Sequence, residues 1–283
     1  INVSPQKINF GSDTASRIST SSGGAAGNVA AWLTRTDARS AIVSHVGDDP
    51  AGAAIVTEFD ALGVSHGDLV IPGETSGVVV VLVDSSGERT MFPDKGANSR
   101  LVAEDLPDLS QYQAVYISGY ALLNPLARDG VLAMIAKIKA DGIPIYFDPA
   151  SVGAMKDVAD KELHNWFSMM DVLFLNEEES IYLTGSVEIE RALDYLLDFS
   201  QVVVIKRGSA GAIAKARGFD SISLPAVAAT VIDTTGAGDS FAAGFIASFS
   251  KNRDLTAALQ AGAELAADCV AIVGGRPRVG TAI

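Results

Sequence analysis

The residues with most chemistry to offer in this 283-residue chain are Gly236-Ala237-Gly238-Asp239. Downstream, Phe241, Phe245 and Phe249 recur every four residues with Ala242 and Ile246 beside them, the buried stripe of a helix. Upstream, Leu224 to Ile232 ends in apolar and β-branched residues and reads as a strand. The spacing therefore predicts a Gly-Ala-Gly turn at a strand-to-helix junction. A helix N-terminus presents free N–H groups and the positive end of its dipole, and two glycines let an anion come close to that backbone. A carboxylate in the first helical turn is electrostatically ordinary, and turn chemistry alone can place the glycines. Beside a bound anion, however, Asp239 is an odd choice unless it has to take a proton. The chemistry on offer is an anion held by backbone amides with a proton acceptor next to it.

The elements that must position these residues follow from periodicity. From residue 96 onward strand and helix patterns alternate: Ala114 to Ser118, helix Pro125 to Ala140, Ile143 to Phe147, helix Val158 to Met169 and Val172 to Leu175. Helix Val187 to Phe199, strand Val202 to Lys206 and a short β excursion over Gly211 to Ser223 come next. Such alternation implies a mostly parallel sheet covered by helices on both faces, whose ligands bind beyond the carboxyl ends of the strands. Gly119-Tyr120, Asp148, Asn176, Lys206 and Asp239 each fall at such an end. The front of the chain differs. Residues 1–22 suggest short exposed strands, and Gly23 to Leu33 a glycine-rich turn entering an Ala-rich helix. Ala41 to Val46 reads as a strand. Asp48 or Asp49 caps a helix that opens at Pro50 and ends at Gly63. Val64 to Ile71, Ser76 to Val83 and Arg89 to Phe92 are strand-like, the last two joined by a Ser85-Ser86-Gly87 turn.

Composition narrows the classes. The chain is 48% hydrophobic, enough for a sizeable core in one domain plus an appendage. Its most apolar run, Val78 to Val83, has the length of a strand and not of a bilayer span. A net charge of −13 argues against a nucleic-acid or anionic-membrane surface. A single cysteine, Cys269, precludes a disulfide framework within the chain and suits a reducing cytosol, so a cytoplasmic location is expected. His45, His66 and His164 have no metal-ligand spacing.

The run Asp233-Thr234-Thr235-Gly236-Ala237-Gly238-Asp239-Ser240-Phe241 resembles the C-terminal signature of the ribokinase-like (PfkB) carbohydrate kinases, Asp-Thr-x-Gly-Ala-Gly-Asp-x-Phe, at every fixed position. Gly23, Gly24, Asn28 and Ala30 match that family's Gly-Gly-x-x-x-Asn-x-Ala run. Asn176 and Glu179 resemble its Asn-x-x-Glu motif, and Val204 to Ala212 its strand and glycine turn under the nucleotide. The resemblance spans about Gly23 to Gly275. It implies an α/β ribokinase-like fold, with an α/β domain over 23–65 and 94–283 and a small β-sheet lid over 1–22 and 66–93. It implies an ATP-dependent kinase acting on a sugar hydroxyl, with Mg²⁺; the acidic net charge does not oppose ATP, which local amides and metal ions hold. By this likeness Asp239 is the general base, and Gly236, Ala237 and Gly238 form the anion hole. Gly24 and Asn28 touch the substrate. Asn176 and Glu179 organise Mg²⁺, largely through water, while Lys206 stands near the phosphates and Gly208 lets the nucleotide approach. Lys206 also reads as a surface charge, and Arg89 as either a substrate contact or a solvated strand residue. Asp233 has two readings, a ligand of a monovalent cation such as K⁺ or an Asx-turn stabiliser. A homodimer through the lid is a further implication.

Other classes lack their motifs. No Gly-x-Gly-x-x-Gly follows an early strand, and neither Gly-x-x-x-x-Gly-Lys-[Ser/Thr] nor Gly-x-Ser-x-Gly occurs. The remaining alternatives are a nucleoside kinase of the same fold, for adenosine, pseudouridine or inosine, and a non-catalytic relative. One departure stands out. The family usually opens with a strand carrying a Gly-Asp and a second Asp that bind substrate hydroxyls. No such strand precedes Ile1, and Asp13 is a poor substitute.

Overall fold

Short strands dominate the first third of the chain and longer alternating elements the rest. The computed structural model describes residues 1–5, 8–84 and 89–280. In order come β1 (Asn2–Pro5), β2 (Ser16–Ser19), α1 (Ala25–Leu33), β3 (Ala41–Ile42), β4 (Val46–Gly47), α2 (Pro50–Leu62), β5 (Ser65–His66), β6 (Val70–Ile71), β7 (Val78–Val83) and β8 (Arg89–Asp94). Then follow β9 (Val115–Ser118), α3 (Gly119–Leu123), α4 (Arg128–Ala140), β10 (Ile145–Asp148), α5 (Val152–Met155), α6 (Asp160–Phe167), β11 (Val172–Asn176) and α7 (Glu177–Thr184). The chain continues through α8 (Ile189–Leu196), β12 (Val202–Lys206), β13 (Ala212–Ala216), β14 (Ile222–Leu224), α9 (Ala237–Asn252) and α10 (Leu255–Val270).

The main sheet has the order β14-β13-β12-β11-β10-β9. β9 to β12 are mutually parallel; at one edge β13 runs antiparallel to β12, and β14 antiparallel to β13. The parallel strands are apolar on both faces because helices cover both. Ile117, Phe147, Leu173, Leu175, Val203 and Ile205 point to one core, with α4, α6 and α8. Tyr146, Phe174, Val204 and Ala214 point to the other, where α9 contributes Phe241, Phe245 and Phe249, and α1 and α10 complete the layer. Strand alternation then decides where the polar ends go. Asp148, Asn176 and Lys206 share parity with Tyr146, Phe174 and Val204, so they emerge on the α9 side.

A separate four-stranded sheet, β2-β1-β7-β8, stands outside these cores. Ile18, Met91 and Phe92 on it are exposed. The expected turn at Ser85-Ser86-Gly87 lies outside the described residues.

Four expected elements differ in the structure. The strand over Leu224 to Ile232 is only Ile222–Leu224. Pro225 has no N–H to continue a ladder, and Val231 and Ile232 are exposed, so the signature follows an irregular segment and not a strand. The backbone amides of Ile232 and Asp233 go instead to the carbonyl of Val270 at the end of α10. Ala41 to Val46 splits into β3 and β4, which pair with β5 and β6, so Val64 to Ile71 splits likewise. The helix expected over Pro125 to Ala140 starts at Arg128. The helix over Pro50–Leu62 is as read, with the Asp49 side chain accepting from Gly52 N–H and Gly63 closing it at φ 74°.

Candidate active site

The polar ends of three parallel strands meet the first turn of α9. Lys206, the last residue of β12, donates from Nζ to Asp148 Oδ2 at 2.6 Å. The two side chains are 16% and 13% exposed, so the pair is largely withdrawn from water. A Cβ on Gly238 would lie 3.1 Å from Lys206 Nζ, which puts the ammonium directly against the N-terminus of α9. Burial alone would lower the Lys206 pKa. The carboxylates of Asp148, Glu179 and Asp239 outweigh that and hold it above the usual range, so the ammonium stays charged. Ala150, just beyond Asp148, adopts φ 85° and donates its N–H to Asp148 Oδ1 at 3.1 Å. That conformation is costly for a side-chain-bearing residue and belongs to the kind of strain found at working sites.

Asp239 sits in the first turn of α9. Its Oδ2 accepts from Asn28 Nδ2 at 2.8 Å. Burial raises its pKa to about 6, with Asp148 adding to the rise, against the opposing pull of Asn28, Lys206 and Arg276. Helix α9 is entered through Gly236 at φ 79°, a left-handed conformation that glycine adopts without cost. A Cβ there would also strike Gly275, at 2.6 Å from its Cα. The Ala237 N–H makes a long bond of 3.3 Å to Thr234 O.

Asn28 does more than touch Asp239. Its Oδ1 accepts from Arg276 Nε at 3.2 Å. Arg276 also donates to Glu58 Oε2 at 2.5 Å and to the Gly23 carbonyl at 2.6 Å, and its guanidinium lies 4.6 Å from the Phe59 ring centroid. Trp32 Nε1 donates to Gly275 O at 2.9 Å. The Gly274-Gly275-Arg276 segment thus clamps α1 and α2 and, through Asn28, aims Asp239. Gly24 caps α1 at φ 87° with open space at its Cβ position.

Asn176 and Glu179 form a reciprocal cap at the start of α7. Asn176 Oδ1 accepts the Glu179 N–H, Glu179 Oε2 accepts the Asn176 N–H, and Asn176 Nδ2 donates to Glu179 Oε1, each at 2.8 Å. Glu179 is only 4% exposed. Burial and the neighbouring Asp148 raise its pKa to about 7. Gly208 follows Lys206 by two residues, at φ 55° with open space at its Cβ position.

The fit to ATP and Mg²⁺ can be tested on this charge balance. Asp148 contacts the Lys206 ammonium and Glu179 and Asp239 act on it through charge, while burial first, and Asp148 after it, raises the Glu179 and Asp239 carboxyls. Among the described residues no cluster of three or more His, Cys, Asp and Glu could hold a metal by itself. Mg²⁺ is usually held by one or two carboxylates, waters and substrate phosphates. The donor set fits that mode.

Direct contacts therefore join Asn28, Lys206, Gly238 and Asp239, and Glu179 is coupled to them by charge. Gly24 and Gly208 make no side-chain contact with that group, and Asp233 is engaged elsewhere. Its Oδ1 accepts from Thr235 N–H at 2.9 Å and Thr235 Oγ1 at 2.7 Å, the Asx-turn arrangement, and its Oδ2 from Gly274 N–H at 3.0 Å. Arg89 lies on the exposed strand β8, as its solvated reading has it, and its Nη2 also meets Asp233 Oδ1 at 2.8 Å. Two residues of this network were not singled out from the sequence. Asp148 showed only its strand-end position, and Arg276 gave no local signal. Cys269 donates to Thr235 O at 3.3 Å, and burial pushes its thiol up to about 11, so it is no nucleophile. Among the described residues no helix is long and apolar enough to cross a membrane.

Comparison with known proteins identifies the family and the fold. The family model for pfkB family carbohydrate kinases matches residues 6–278. A fructokinase of Salmonella typhimurium is 32% identical over 267 residues, covering 88% of this chain and 84% of the relative. The solved adenosine kinase of Sinorhizobium meliloti superposes with a TM-score of 0.84 at 26% identity, over 94% of this chain and 81% of that one. A putative ribokinase II from E. coli in complex with ATP and Mg²⁺ gives 0.81 at 25% identity, over 97% and 91%. The chain has the ribokinase fold of these proteins, and it belongs to the pfkB family of carbohydrate kinases, phosphotransferases that act on a hydroxyl group.

Proposed function

We propose that this chain transfers the γ-phosphoryl group of ATP to a hydroxyl of a sugar, with Asp239 as the general base. The observation that carries the reading is the buried carboxylate of Asp239 beside the N-terminus of α9, with a pKa of about 6 and a fixed orientation from Asn28. A base poised slightly below neutral pH is ionised when the acceptor arrives and can take a proton as attack begins. The acceptor hydroxyl lies between Asp239 and the γ-phosphate. The N–H groups of Gly236, Ala237 and Gly238 receive the charge that develops on the transferring group, and Lys206 neutralises part of the rest. Lys206 would offer its ammonium to the phosphates, and Asp148, Glu179 and Asn176 would be the residues to hold the metal. Mg²⁺, when bound there, supplies charge neutralisation between the phosphates and these carboxylates. Gly208 gives the nucleotide close approach to the backbone after β12. Gly24 and Asn28 face the acceptor, Asn28 with the amide hydrogen that Asp239 does not use. The four-stranded sheet acts as a lid that excludes water, the competing acceptor.

A sugar is favoured because a fructokinase is among the relatives above 30% identity. The adenosine kinase neighbour keeps nucleosides as the second reading. An ADP-release assay with Mg²⁺ against sugars and nucleosides tests the proposal. One acceptor is expected to raise ADP release well above the acceptor-free rate, and its class decides between the two readings. A flat panel combined with tight ATP binding would make the chain a non-catalytic binder.

A further inference from the structure

Asp233 opens the signature, and the likeness to the family offers it as a ligand for a monovalent cation. Its surroundings do not fit that role. A carboxylate has about four lone-pair sites. Thr235 N–H, the Thr235 hydroxyl and Arg89 Nη2 converge on Oδ1, and Gly274 N–H takes Oδ2. Three donors therefore crowd the two lone-pair sites of Oδ1, and one meets Oδ2. The positive charge at the aspartate is a guanidinium, delivered from β8, 144 residues away in sequence. Arginine carries that charge at every working pH, and its fixed fork loses little freedom in the pairing. Asp233 and Arg89 are 18% and 33% exposed, so solvent screens the pair only in part.

We propose that Arg89 supplies from within the chain the charge that a monovalent cation would bring to Asp233, so that this protein works without K⁺. The same ion pair ties β8, the edge strand of the four-stranded sheet, to the segment that opens α9. Thr235, which shares Asp233 Oδ1 with Arg89, directly precedes Gly236, so the pair also fixes the approach to the anion hole. Independence of turnover from K⁺ rests on the kinase reading; the ion pair and its effect on cation binding do not.

Thermal unfolding of the wild type and of Arg89→Gln, in KCl and in tetramethylammonium chloride at about 0.1 M, separates the two. The wild type is expected to melt at the same temperature in both salts. Arg89→Gln is expected to melt lower in tetramethylammonium and to recover by about 2–4 °C in K⁺ alone, since a cation that binds only the folded chain stabilises it. A K⁺-specific rise in the wild type, or no K⁺ response in the variant, overturns the proposal. Should Arg89→Gln fail to fold, thallium-205 resonance of the wild type decides. No bound Tl⁺ is expected, and a bound signal that Asp233→Asn abolishes contradicts the proposal. A third arm compares wild-type turnover in the two salts. Equal rates are expected, a K⁺-specific rate rise overturns the proposal, and turnover with no acceptor in either salt defeats the kinase reading while leaving the melting result to judge the ion pair.

Discussion

Asp239→Asn is expected to lower turnover by about 10²–10⁴-fold, the range a positioned general base contributes, while the protein still folds and binds ATP. Asparagine has the same shape and still offers an oxygen to Asn28 Nδ2, which now meets Asp239 Oδ2 at 2.8 Å. It cannot accept the proton of an attacking hydroxyl. Stability should hold or rise, because ionised Asp239 is disfavoured by its burial, the first cause of its raised pKa. The proposed anion hole uses only backbone N–H groups, of Gly236, Ala237 and Gly238, so it should survive the change. Steady-state kinetics beside ATP calorimetry checks both halves. Turnover within tenfold of wild type would remove the base role from Asp239, and loss of ATP binding would mean that the carboxylate acts through structure instead.

Arg276→Ala is expected to lower stability by about 3 kcal/mol, the low end of the cost of breaking a buried ion pair by removing one partner. The low end applies because Glu58 keeps 25% of its side chain in water, whereas Arg276 keeps 5%. Truncation strands Glu58, removes the donors to the Gly23 carbonyl and Asn28 Oδ1, and empties the space against Phe59. The melting temperature should fall by about 6–12 °C, at about 2–4 °C per kcal/mol for a chain somewhat larger than those surveyed. Folded molecules should also turn over more slowly, since Asn28 loses the contact that fixes its amide toward Asp239. Arg276→Lys keeps a charge without the fork and should recover part of the stability but little of the rate. A melting temperature within about 2 °C of wild type for Arg276→Ala would refute the clamp.

The parts of the site legible in the sequence are those whose signal is local. Gly236, Gly238 and Asp239 announce a turn opening a helix, and the Phe241, Phe245, Phe249 stripe fixes which face of that helix is buried. Strand period two then suffices to bring Asn176 and Lys206 out on the α9 side. What escaped is non-local. Nothing near Asp148 marks it as the partner of Lys206, because the contact closes over 58 residues. Arg276 meets Asn28 across 248 residues and lies in a segment without periodicity. Arg89 looked like one more charge on an exposed strand until the fold carried it to Asp233. The apolar run Leu224 to Ile232 misled for a different reason: β-branched residues suggest a strand, but Pro225 and the capture of two amides by Val270 O leave it unpaired. Asn28 carried a recognised motif, yet its hold on Asp239 appears only once α1 and α9 pack together.

The pH dependence of kcat/KM, with product measured directly for the best acceptor in the wild type and in Asp239→Asn, tests the central claim most directly. The account predicts that the wild-type rate falls about tenfold per unit below about pH 6, as the carboxylate whose pKa is about 6 takes up a proton and ceases to be a base. Glu179, at about 7, titrates in both proteins, so the limb that belongs to Asp239 is the one the variant lacks. A wild-type profile that stays flat from about pH 5 to about pH 8, or an acid limb that persists unchanged in the variant, would contradict the assignment of Asp239 as the base.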